Sequence, residues 1–61
     1  MSRHQICKEL KEGLNYNYAV LKYLTKLYEI DRDPRLKKSI DLVILTIDKI
    51  KQLIAYVGCE E

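Results

Sequence analysis

Between Leu36 and Val57 the apolar residues fall at Leu36, Ile40, Val43, Ile47, Ile50, Ile54 and Val57, in alternating steps of four and three. Such steps keep one face of an α-helix apolar, and sustained over three heptads they mark a helix with a partner along its length. An earlier stretch repeats the pattern with one polar member: Cys7, Leu10, Leu14, Asn17, Leu21, Leu24 and Tyr28. The pattern predicts an all-α chain of two helices, about 3–29 and 34–57, within a single domain spanning 1–61.

Local signals fix the ends. Ser2 with Gln5 three residues on matches a capping box, in which the hydroxyl takes a first-turn N–H and the Gln5 amide reaches back. Pro34 presets the first turn of helix 2, and Asp33 before it is placed to cap that turn. Gly58 is expected to end the helix in the left-handed conformation. Gly13 inside helix 1 reads as a tolerated weak point, costing about 1 kcal/mol relative to Ala. Lys37 and Lys38 sit in an opening turn, where the helix dipole disfavours cations, so another purpose is expected for them.

So short a break folds the helices back as an antiparallel hairpin. In such a pair, facing residues must share a constant sum of position numbers. Tyr28 with Leu36, Leu24 with Ile40, Leu21 with Val43, Asn17 with Ile47, Leu14 with Ile50, Leu10 with Ile54 and Cys7 with Val57 all do. Two unrelated helices have no reason to agree in this way, so the two stripes are predicted to face one another.

Apolar residues outside this seam change the picture. Val20, Leu27, Ile44 and Leu53 flank it and widen the apolar stripe beyond what one partner helix covers. Below roughly 70 to 80 residues a single core seldom suffices. A homodimeric four-helix bundle is therefore expected, with Asn17, Val20, Leu27, Ile44 and Leu53 at the interface. Asn17 occupies the middle layer. It could meet its copy across a two-fold axis and fix the register, or turn sideways to water. Tyr16, Tyr23, Leu42 and Leu45 are left as a candidate patch for another protein, with tetramer formation as the competing use. The layout, two helices with paired a and d layers in a chain of this length, resembles the ROP type of four-helix bundle. The resemblance is one of layout, carries no residue motif, and makes RNA binding an expectation by analogy alone.

Composition sets the limits. With 48% hydrophobic and 33% charged residues, two glycines and one proline, the chain is a folding one. The charged N-terminal stretch and the longest apolar run, Leu42 to Leu45, lead us to expect no signal peptide, no membrane span and a cytoplasmic location. Two cysteines are too few for a disulfide scaffold; a Cys7–Cys59 bridge is conceivable but disfavoured by a reducing compartment.

Candidate chemistry is sparse. One histidine, no Gly-rich phosphate loop and no nucleophile with a recognisable base argue against an enzyme, and no cofactor is expected. His4, Cys7 and Cys59 converge at the open end of the hairpin and are candidate zinc ligands. The basic residues Arg32, Arg35, Lys37 and Lys38 at the turn, and Lys8, Lys22 and Lys26 along helix 1, are candidate nucleic-acid contacts. The net charge of +2 does not itself argue for that partner. The expected function is a small non-enzymatic regulator or assembly module acting through protein contacts. The alternative is a nucleic-acid-binding regulator.

Overall fold

The computed structural model describes residues 2–59 and consists of two helices, α1 (Arg3–Ile30) and α2 (Pro34–Val57). α1 runs one residue further than its pattern predicts. The two pack side by side into a rod of 43 × 18 × 15 Å. Twenty-eight residues at about 1.5 Å each span that length.

Each helix end is satisfied locally. The Ser2 hydroxyl accepts from the Gln5 N–H at 3.1 Å, which is one half of the capping box. The other half is not made: Gln5 Nε2 donates forward to Glu9 Oε1 at 3.3 Å. The ionised Glu9 carboxylate one turn on is a strong acceptor for the Gln5 amide N–H and draws the side chain forward, away from the Ser2 backbone N–H. At the turn, Asp33 Oδ1 accepts from the Arg35 N–H at 2.9 Å, and Pro34 stands at the first helical position.

The C-terminus of α2 closes through Gly58, whose φ of 80° suits a residue without Cβ. Gly58 N–H donates to the Ala55 carbonyl at 3.2 Å and Cys59 N–H to the Ile54 carbonyl at 3.1 Å. This is the Schellman arrangement, and it turns the chain back after Val57.

All fourteen residues of the predicted seam are at least half-buried, so the two stripes face inward as the pattern predicts, and a Cβ at Gly13 would lie 4.0 Å from Ile50 Cδ1. Ile47 is the most enclosed, with 6% of its surface exposed, and is the single buried apolar residue among those described. A cross-section two helices wide leaves every other layer open on its outer edges.

The expectation that the two cysteines stay unbridged is corrected. Cys7 and Cys59 form a disulfide, with Cα atoms 5.7 Å apart, inside the range a bridge can span. The reversal at Gly58 explains it, because it folds Cys59 onto the first turns of α1. In oxidising compartments such bridges persist; in reducing ones they are transient. No helix among the described residues is long and apolar enough to cross a membrane.

Candidate functional site

Helical periodicity sorts the apolar residues outside the seam onto two flanks. Two positions along a helix correspond to about 200° of rotation, so residues i and i+2 beside a seam lie on opposite sides of it. On α1, Tyr18 and Val20 are thus separated, and Leu27, seven residues after Val20, shares its stripe. On α2 the Lys51 ammonium stands 5.7 Å from the centroid of the Tyr18 ring, which sets Lys51 on the Tyr18 flank. Ile44, seven residues before Lys51, lies there too. Leu53, two residues beyond Lys51, lies on the Val20 flank, as does Leu42 three turns earlier.

One flank therefore carries Val20, Leu27, Leu42 and Leu53. Of these Leu27 is 52%, Leu42 64% and Leu53 48% exposed. Tyr16 and Tyr23, each four residues before a member of this stripe on α1, border it and are also exposed. The structure does not bring Ile44 together with the other expected interface residues, and Leu45 points away from the seam on the back of α2. Tyr56, three residues after Leu53, extends the apolar flank and is 89% exposed. The sequence reading passed over it, although its spacing from Leu53 was signal enough.

Asn17 is half-buried, and its Nδ2 donates to the Gly13 carbonyl at 2.8 Å. The amide turns along its own helix, a local alternative open to Asn side chains. Its donor group therefore needs no copy of Asn17 to be satisfied.

Most basic residues at the turn are engaged. The Arg35 guanidinium grips Asp33, with Nη2 to Oδ2 at 2.6 Å and Nε to Oδ2 at 3.0 Å. This hydrogen bonding holds the Asp33 carboxyl below the usual range and the Arg35 guanidinium above its own. Lys37 donates to Asp41 at 2.7 Å, which raises its pKa and gives the reason for a lysine in that turn. The Arg32 guanidinium lies 5.4 Å from the centroid of the Tyr28 ring. Lys8, Lys22, Lys26 and Lys38 are exposed and form no ion pair among the described residues. Across the seam, the Tyr18 side chain beside Lys51 raises the pKa of its ammonium above the ordinary lysine value.

At the open end, the candidate zinc set of His4, Cys7 and Cys59 is corrected. Zinc takes cysteine as thiolate, and the bridge leaves neither sulfur free to ionise. Among the described residues no other group of three His, Cys, Asp or Glu side chains is arranged to hold a metal ion.

Compared with known proteins, the chain matches no family model, no curated protein and no solved structure.

Proposed function

We propose that the protein is a non-enzymatic, self-associating helical hairpin: two copies pack their Val20, Leu27, Leu42 and Leu53 flanks together as a four-helix bundle. In this reading it serves in the cytoplasm as a small regulator or assembly module, and its bridge is a reversible feature rather than a permanent one. The observation that carries the reading is the imbalance of burial. In a chain with 48% hydrophobic residues, Ile47 is the single buried one among the described residues, while an aligned stripe of leucines on both helices lies half open to water. Removing such a stripe from water contributes about 25 cal/mol per Å², and only a matching apolar surface removes it.

Two differently tagged copies test this directly. They should copurify, Leu27→Glu with Leu53→Glu should abolish the copurification, and Ile44→Glu on the opposite flank should leave it intact. Equal behaviour of the two variants would sink the assignment of the flank.

Nucleic-acid binding is the second reading, supported by Lys8, Lys22 and Lys26 on α1, which form no ion pair among the described residues. Binding of that kind must weaken steeply with added salt. The pairing of Arg35 with Asp33 and of Lys37 with Asp41 lowers the charge the turn can offer, which favours the protein-contact reading.

A further inference from the structure

At the open end the Cys7–Cys59 bridge lines a cleft of about 600 Å³ whose other walls include Arg3, His4, Lys8 and Lys11. Arg3 and His4 stand four and three residues before Cys7, and Lys11 four after it. Those are the positions that adjoin Cys7 on the helix surface. Both cysteines are partly open to solvent. A disulfide meets an attacking thiolate, which is an anion, and releases another. Arg3 and Lys8, both exposed on the rim of the cleft, favour both events.

We propose that this cleft is a docking and reaction site for an anionic low-molecular-weight thiol, a small peptide thiol bearing free carboxylates, which reduces the bridge by thiol–disulfide exchange. The carboxylates dock against Arg3 and Lys8, and the thiolate attacks Sγ of Cys59. A bond forms between the incoming sulfur and Cys59, the Sγ–Sγ bond breaks, and its electron pair leaves on Cys7. Cys7 is the sulfur whose helix neighbours are cationic, so its thiolate is the better leaving group. A second molecule of the thiol attacks the incoming sulfur and releases Cys59 as thiolate, which takes a proton from solvent as Cys7 does. Two thiols are oxidised to one disulfide, and the protein bridge is reduced to two thiols. The covalent tie between the ends of α1 and α2 is then gone. None of this depends on self-association, so the two readings fail independently.

The test follows reduction of the bridge in the full chain by glutathione, 2-mercaptoethanol and cysteamine, which are respectively anionic, neutral and cationic, with each rate expressed per thiolate. At about 0.01 M ionic strength glutathione should be roughly tenfold faster than cysteamine. Near 1 M salt, where the screening length falls from about 30 Å to about 3 Å, the gap should close. Arg3→Gln with Lys8→Gln should cut the ratio of the glutathione rate to the mercaptoethanol rate several-fold. Both residues are exposed, so the fold should survive, and circular dichroism checks it. Equal rates for the three thiols at low salt, or a ratio that the double variant leaves unchanged, would overturn the proposal.

Discussion

Along the seam the apolar stripes of the two helices shield one another, and Ile47 in the middle is 6% exposed. Along the Val20 flank the same residue types, placed one stripe over, end at water: Leu42 is 64% and Leu53 48% exposed. The difference lies in width rather than hydrophobicity. One helix can cover a stripe of period 3.5, and whatever lies beyond that stripe must be covered by something else. In a rod two helices wide the seam supplies register, while the flank supplies a reason to associate.

The largest expected effect comes from cutting the covalent tie that holds the seam's open end. Cys7→Ser removes a bridge between residues 52 apart in sequence, and the lost constraint on the unfolded chain is worth about 4 kcal/mol. Urea unfolding of the variant, alongside the unsubstituted chain with and without reductant, measures it. A loss below about 1 kcal/mol would mean that the seam alone sets the stability.

Next comes the contrast itself. Ile47→Ala should cost about 2 to 4 kcal/mol, because it empties the one enclosed position. Leu42→Ala should cost less than about 1 kcal/mol in dilute solution, and more as protein concentration rises and copies meet. Concentration-independent costs at both positions would remove the distinction between seam and flank.

Gly13→Ala should sharpen the seam by adding about 0.5 to 1 kcal/mol, since glycine weakens a helix interior. A Cβ there meets only Ile50 Cδ1, at 4.0 Å, which is ordinary contact. Thermal unfolding at fixed concentration reads the gain, and a loss would place a backbone requirement at Gly13 that the packing does not account for.

The smallest effect belongs to the turn. Arg35 holds the folded-state pKa of Asp33 below its ordinary 3.8, so the stability this adds is present above that value. It is lost as pH falls through the folded pKa. Asp33 is half-buried but its partner Arg35 is exposed, so solvent screens the pair and the slope should be slight. Asp33→Asn should remove it from a pH series of melting temperatures taken from pH 5 down to about pH 2.

Much of this was legible because the physics was periodic. The fourteen seam positions, the break at Pro34 and the close at Gly58 follow from spacing and from the backbone preferences of two residues. The proximity of Cys7 and Cys59 was legible and their bridge was not, since whether two neighbouring thiols join depends on the redox compartment, which spacing does not state. Nor was the behaviour of Asn17, where a bond to its own helix competes with one across the seam, and the sequence carries both options. The separation of Ile44 from Leu53 could have been read from the helical wheel. The cation–π contact of Lys51 with Tyr18 is what orients the wheel.

Sedimentation equilibrium of the bridged chain over a concentration series tests the central claim, that a second copy covers the Val20 flank. The account predicts a mass rising to twice 7.2 kDa and holding there. A mass of 7.2 kDa at every concentration would contradict it.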